Sequence, residues 1–340
     1  VPDLSVLIAS RNEVFLKNTV EDVLTHAEAD TDVIAVCDGA WPTPPLVDHP
    51  KVTLVHHASI GQRAAVNEAA RLSTATYVMK LDAHCALDQG FDRKLIEPYE
   101  RGELAREDTT IPRLYNLHAF DWQCRACGDR IYQGAKPSAC GKCKSPEGFE
   151  RVMVWKPRWH RKTDFNRFDA NLQYQYWQGV DKRPASQGEL ADMMTALGAC
   201  FFMRRDRFWE LGGMDEEHGS WGQFGVEVAL KSWLSGGRHV VNKRTWYSHM
   251  FRTHGGPEWG FPYPMSNSQV ETARKHSRAM WYQNAWPRQV RPLDWLVERF
   301  EPVPGWHQPA SKDDPPQREA ILAMVQQAAL IFSPRREVAA

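Results

Sequence analysis

The stretch YVMKLDAHCALD, from Tyr77 to Asp88, begins as a short apolar strand and ends by setting an aspartate and a histidine one residue apart. An Asp-X-His at a strand end turns a carboxylate oxygen and an imidazole nitrogen toward the same side of a turn, a pair that suits a divalent cation such as Mn²⁺. The same spacing also occurs as an ordinary polar strand terminus, so the flanking sequence has to decide between the two.

Toward the N-terminus, LSVLIA (4–9) predicts a strand buried on both faces, followed by the polar turn SRNE and a helix from Val14 to His26. DVIAVCDG (32–39) is a second apolar strand ending in Asp38, and KVTLVHH (51–57) is a third. GQRAAVNEAARLS (61–73) then spaces Ala, Val and Leu as a helix does. Strand, helix, strand, strand, helix, strand predicts a largely parallel α/β sheet whose ligands lie beyond the carboxyl ends of the strands. Asn12, Glu13, Asp38, Asp82 and His84 all fall at such ends, and are expected to meet at one crevice. No G-x-G-x-x-G follows the first strand and no G-x-x-x-x-G-K-[ST] occurs, which argues against a dinucleotide dehydrogenase and a P-loop NTPase.

Toward the C-terminus the character changes. CRAC (124–127) and CGKC (140–143) are separated by twelve residues, the spacing of a four-cysteine zinc ribbon formed by Cys124, Cys127, Cys140 and Cys143; disulfides or free thiols are the alternative. Cys37, Cys85 and Cys200 lie in apolar strands and are expected to be inert core residues. Between 151 and 167 six Lys/Arg accompany one acid, with Trp155, Trp159, Phe165 and Phe168 interleaved or adjacent. That composition is what a nucleic-acid strand would meet, or else a solvated loop anchored by tryptophans. Residues 193–237 predict a strand, a short helix, a Gly-rich turn and a helix starting near Phe224; further helices are expected near Gln269–Asn284 and 317–331.

With 340 residues the chain can bury a substantial core, and its 42 Lys+Arg balance 42 Asp+Glu, so no global field draws it to nucleic acid or anionic membrane. The longest apolar runs fall well short of a bilayer span and the first residues lack a basic-then-apolar leader pattern, so a soluble, cytoplasmic protein of a bacterial or phage-infected cell, with no membrane partner, is expected. Paired cysteines point to metal in a reducing compartment. Fourteen Trp suit flat surfaces for sugars or bases as well as ordinary packing.

Taken together, SVLIASRNE, VCDGA and GQRAAVNEAARLSTATYVMKLDAHC resemble the GT-A glycosyltransferases, especially family 2 enzymes and the polypeptide N-acetylgalactosaminyltransferases. The resemblance continues in GACFFMRRDRFWELGGMDEEHGSWGQFGVEVALKSWLSGG and YSHMFR, and covers about residues 3–100 and 193–253. It implies a Rossmann-like, mostly parallel sheet flanked by helices, to which this chain adds the inserted ribbon and a C-terminal helical extension. It also implies a division into a nucleotide-sugar half (1–118), the ribbon (119–150), a basic acceptor segment (151–192), an acceptor half (193–255) and the extension (256–340). Donor contacts are implied at Ser10, Arg11 and Glu13 in the first turn, at Asp38, at Gln62 and Arg63, and at Asp82 and Trp221. By the same correspondence Asp82, His84 and His249 hold Mn²⁺ (or Mg²⁺), with diphosphate oxygens completing the shell; a packed histidine beside Trp246 and Tyr247 is the other role open to His249.

One departure matters. Relatives carry E-D or E-N after the W-G element, whereas WGQFGVE has Phe224 and Gly225 there. If the reaction inverts the anomeric centre, Glu227 is the first candidate for the base and Asp215 the second; Glu227 could equally complement its helix N-terminus, and a retaining enzyme needs no such base. The resemblance thus implies a metal-dependent transferase moving a sugar from a nucleotide donor, UDP-linked, to a hydroxyl. The ribbon and basic segment point to a DNA 5-hydroxymethylpyrimidine as acceptor, as in phage-type DNA glycosyltransferases. A polysaccharide, lipid-linked or protein acceptor, or a non-catalytic binding protein on the same fold, are the alternatives.

Overall fold

The computed structural model describes residues 1–158, 164–219, 221–252, 263 and 267–306. Its first strand, β1 (Leu4–Ser10), is buried along its whole length, as its uninterrupted apolar run requires of a strand covered on both faces. α1 (Leu16–His26) buries Leu16, Thr19, Val20 and Val23, spaced along one helical stripe, and leads into β2 (Thr31–Asp38) and β3 (Val52–His57). α2 (Gln62–Leu72) packs Ala65, Val66, Ala69 and Ala70 into the core before β4 (Tyr77–Leu81). These strands stand side by side in parallel as β3-β2-β1-β4, which directs Ser10, Asp38 and Asp82 toward one edge.

The sheet then turns mixed. β5 (Cys85–Leu87) and α3 (Phe91–Glu100) precede β6 (Thr109–Cys124), a strand of 16 residues. β7 (Arg130–Tyr132) and β8 (Phe149–Arg158) pair antiparallel with the outer part of β6. The hairpin β9 (Asn166–Phe168) and β10 (Tyr174–Tyr176) forms a separate two-stranded sheet. β11 (Leu190–Asp192), β12 (Cys200–Arg204), α4 (Arg205–Glu210), α5 (Phe224–Leu234) and β13 (His239–His249) follow. β12 lies antiparallel between β4 and β6, and β13 pairs parallel with β6, giving the continuous order β11-β13-β6-β12-β4-β1-β2-β3. α6 (Asn267–Tyr282) buries Trp281 completely, and α7 (Leu293–Arg299) packs Leu293 and Leu296 into the main core. The helix expected at 317–331, and Trp159, lie outside the described residues.

The boundary expected between 118 and 119 falls inside β6. The cysteine insertion therefore grows out of a core strand and has its own small core, in which Phe15, Phe120, Trp122, Cys124, Cys140 and Phe149 are buried together. Part of the basic, aromatic segment is used here too. The Arg151 guanidinium lies 4.8–5.3 Å from the ring centres of Phe15, Phe120 and Trp122, and Trp155 Nε1 donates to Asp22 Oδ2 at 3.0 Å. Phe165 and Phe168 are buried in the main core. These aromatics face inward because each has an apolar or carboxylate partner there, a placement that spacing in the sequence could not reveal.

Candidate active site

The ends of β1, β4 and β13 meet at a cavity of about 450 Å³. Two backbone features set its floor. β5 pairs antiparallel with β13 so that Cys85 stands opposite His249, and the Met250 amide donates to the His84 carbonyl at 3.1 Å. The two histidines, far apart in the chain, are thereby locked side by side. His84 Nε2 and His249 Nε2 are 3.0 Å apart, and His249 Nε2 is 3.3 Å from Asp82 Oδ2.

Each of the three side chains is held from behind. Glu13 Oε2 lies 3.0 Å from His84 Nδ1, which places the proton on Nδ1 and leaves the Nε2 lone pair facing the cluster. Glu13 is fixed in turn by Arg252 and by the Phe15 amide, which donates to its Oε1 at 3.1 Å. Burial would raise the Glu13 pKa, but its close contacts with His84 and Arg252 outweigh it and hold the carboxylate ionised. Asp82 Oδ1 is occupied by Lys80 and, at 3.4 Å, by Gln62 Nε2, so Oδ2 is the oxygen turned to His249. Against burial, Lys80 and the two histidines keep the Asp82 carboxyl well below the usual carboxylate range. Burial pushes His249 down to about 4, partly opposed by its bond to Asp82, so it is neutral near pH 7 as a metal ligand must be.

This donor set fits a divalent cation. Two nitrogens 3.0 Å apart have the separation of adjacent corners around one ion with bonds of about 2.1 Å. Two imidazoles with one carboxylate suit Mn²⁺ better than Mg²⁺, which prefers oxygen. The four cysteines also converge. Cys124 Sγ is 3.8 Å from Cys143 Sγ, and Cys127 Sγ is 3.7 Å from Cys140 Sγ. Tetrahedral Zn–S bonds of about 2.3 Å require sulfurs about 3.8 Å apart, so the cluster fits structural zinc; all four are free of disulfides.

Of the other residues expected to contact a donor, Ser10, Arg11, Gln62 and Trp221 line the cavity with Glu13. Asp38 and Arg63 do not. Asp38 is fully buried, with Oδ1 accepting from the Ile60 amide and Oδ2 from the Gly61 amide at 3.1 Å, so it fixes the start of α2 and with it the approach of Gln62. Arg63 is buried beneath the cavity wall, donating to Glu227 Oε2 at 2.9 Å and to the carbonyls of Gly219 (3.0 Å) and Gly222 (2.7 Å).

The two residues expected as bases are also absent from the lining. Glu227 is fully buried: Oε1 accepts from Lys231 Nζ and the Asp215 amide, both at 2.7 Å, and Oε2 accepts from Arg63. Burial alone would raise its pKa, yet Lys231 and Arg63 bring it down to about 2. Asp215 is bonded to His276 and the Glu217 amide on the far side of the same turn. Among the described residues Glu13 and Asp82 are the carboxylates lining the cavity, and both have other partners.

Of the two residues that stand at the departure, Phe224 and Gly225, the glycine makes a close backbone contact. A Cβ there would meet the Ala196 carbonyl oxygen at 1.9 Å, so the start of α5 can lie against 196–198 only with glycine.

Several lining residues escaped the sequence reading. Lys80, buried behind the lining where it holds Asp82, was visible as a lone charge inside the apolar run YVMKL, a pattern that demands a buried partner. Tyr174 and Tyr176, on the β9–β10 hairpin, and Arg252 and Arg274 carried no local signal.

Residues 5–116 match the family described as Glycosyl transferase family 2. The chain is 24% identical over 292 residues to putative polypeptide N-acetylgalactosaminyltransferase 13 of Drosophila melanogaster, covering 80% of this chain and 45% of that protein. It is 24% identical over 298 residues to N-acetylgalactosaminyltransferase 4 of the same organism, covering 83% and 40%. The crystal structure of GalNAc-T7 with UDP, GalNAc and Mn²⁺ superposes with a TM-score of 0.55 at 16% identity, over 83% of this chain and 48% of that one. The chain thus spans less than half the length of these relatives. No helix among the described residues is long and apolar enough to cross a membrane. With this sheet order, this strand-end cluster and these matches, the chain has the GT-A fold; its segment 5–116 matches glycosyl transferase family 2, and the chain is distantly similar to the polypeptide N-acetylgalactosaminyltransferases.

Proposed function

We propose that the chain is a metal-dependent glycosyltransferase that moves a sugar from a UDP-linked donor to an acceptor hydroxyl. The observation that carries this reading is the convergence of Asp82, His84 and His249 on one edge of a cavity also lined by Arg11, Arg252 and Arg274. Asp82 Oδ2, His84 Nε2 and His249 Nε2 would hold the cation, which when bound supplies positive charge against the departing diphosphate. Glu13 orients His84, Lys80 orients Asp82, and the arginines favour an anionic donor.

Transfer with retention of configuration agrees best with the cavity. An inverting base must accept the acceptor's proton, and among the described residues the lining carboxylates are both committed: Asp82 to the cation, Glu13 to His84 and Arg252.

For the acceptor, the cavity lining also includes Tyr174, Tyr176 and Trp221, aromatic rings of the kind that stack on a flat base or a sugar face. Such a wall supports the hydroxymethylated pyrimidine of DNA as acceptor, presented out of its stack. The inward packing of Phe165 and Phe168 leaves this acceptor resting on the cavity wall and the ribbon.

The test is mass spectrometry of UDP release and sugar transfer with Mn²⁺, using duplex DNA containing 5-hydroxymethylcytosine or 5-hydroxymethyluracil alongside peptide and glycan acceptors. Mn²⁺-dependent UDP release lost in Asp82→Ala is the expected result. Donor binding without turnover on any acceptor would instead identify a binding protein, and transfer to glycan or peptide alone would remove the DNA acceptor.

A further inference from the structure

A second cluster of one aspartate and two histidines lies outside the cavity. Asp215 opens the short helical turn Glu216–His218, and His276 reaches it from α6. Asp215 Oδ2 is 2.8 Å from His276 Nε2 and 3.0 Å from His218 Nδ1. The two rings meet edge to face with centroids 4.5 Å apart. All three candidate ligand atoms lie within 4.8 Å of one another, as do those of Asp82, His84 and His249.

One atom in this cluster is out of place for a purely hydrogen-bonded group. His218 is fully buried, and its Nδ1 pairs with Asp215 Oδ2 at 3.0 Å but out of line for a regular hydrogen bond. The other nearby acceptor, Glu227 Oε2 at 3.9 Å, already serves Arg63. A buried ring nitrogen misaligned for a hydrogen bond, close to a carboxylate and a second imidazole, is compatible with a metal ligand, whose lone pair points at an ion. Asp215 and His276 remain partly exposed, so an ion can enter from solvent.

We propose that Asp215, His218 and His276 bind a zinc ion, with water at the fourth position. Two nitrogens and one oxygen on a half-buried turn suit tetrahedral Zn²⁺. The ion would staple α6 to the 215–218 turn. Because α6 carries Val270 and Arg274 into the cavity wall, zinc here would set the position of that wall without touching the donor.

The experiment measures metal content on the full chain. In an Asp82→Asn background, which removes the cavity site, two zinc ions per chain are expected, one of them on the cysteines; adding His276→Gln should leave one. After Co²⁺ substitution the thiolate-to-metal absorption of the cysteine site should persist in both proteins, while the weaker visible bands of an imidazole-ligated ion should disappear with His276→Gln. His249→Gln serves as the background should Asp82→Asn fail to fold. An unchanged metal count and unchanged visible bands on His276→Gln would overturn the proposal, leaving the cluster a hydrogen-bonded clasp.

Discussion

Two clusters in this molecule share one composition and differ in their setting. Asp82, His84 and His249 stand at strand ends with an open cavity before them, and each is braced from behind by Glu13, Lys80 or backbone pairing. Asp215, His218 and His276 sit between a turn and α6 outside that cavity, Asp215 and His276 partly exposed, with Glu227, Lys231 and Arg63 packed beneath. Residue type alone therefore does not mark a reaction centre. What distinguishes the first cluster is room for a substrate next to ligand atoms whose orientation is fixed in advance.

The sharpest way to break this contrast is to remove the two aspartates in turn. Asp82→Ala should leave a folded chain and lower Mn²⁺-dependent UDP release by on the order of 10³-fold or more, read by turnover and circular dichroism together. Next in size is Glu227→Gln, which leaves Arg63 and Lys231 facing a neutral amide in a buried setting. It should cost about 3–5 kcal/mol in a denaturant titration while the folded fraction keeps its turnover. A folded Glu227→Gln protein slowed by about 10²–10⁴-fold would make Glu227 a base after all.

Glu13→Gln tests the bracing of the first cluster. It should weaken Mn²⁺ binding by about 10–100-fold, measured by titration, because His84 loses the carboxylate that fixes its tautomer. Asp215→Ala, its counterpart in the second cluster, should cost about 1–3 kcal/mol of stability and change turnover less than Glu13→Gln does.

The smallest effect near neutral pH lies outside both clusters. His239, at the start of β13, is fully buried with both ring nitrogens free of hydrogen bonds, and burial pushes its pKa down to about 3. The unfolded chain takes up a proton near the ordinary 6.5, whereas the folded chain resists until about 3, so stability should fall as pH drops through that window. His239→Phe should flatten this slope in thermal melts recorded between pH 7 and 4.

Much of the first region could be read in advance. Buried parallel strands declare themselves as apolar runs, and Asp82 with His84 is a local pattern at the end of one. His249 became visible only through resemblance, since no local rule links it to residues 165 positions away. The second cluster was illegible for the same reason without a resemblance to help: His276 meets Asp215 only because α6 docks across the turn. Glu227 misled because an acid in a helix's first turn is exposed as often as not, and its burial depends on Arg63 and Lys231 closing over it. Asp38 is the converse, a strand-end residue in the expected place whose oxygens two loop amides have taken.

β6 has one further consequence. Asn116 stands in register with His249, and Cys124 ends the same strand eight residues on. At a strand's rise this is at most about 26 Å, spanned by paired backbone. The cavity and the cysteine cluster are joined by a strand in place of a tether, with one irregularity between His118 and Phe120; under the proposed function, a long acceptor gripped at the ribbon would present its hydroxyl at a distance from the grip that this strand sets.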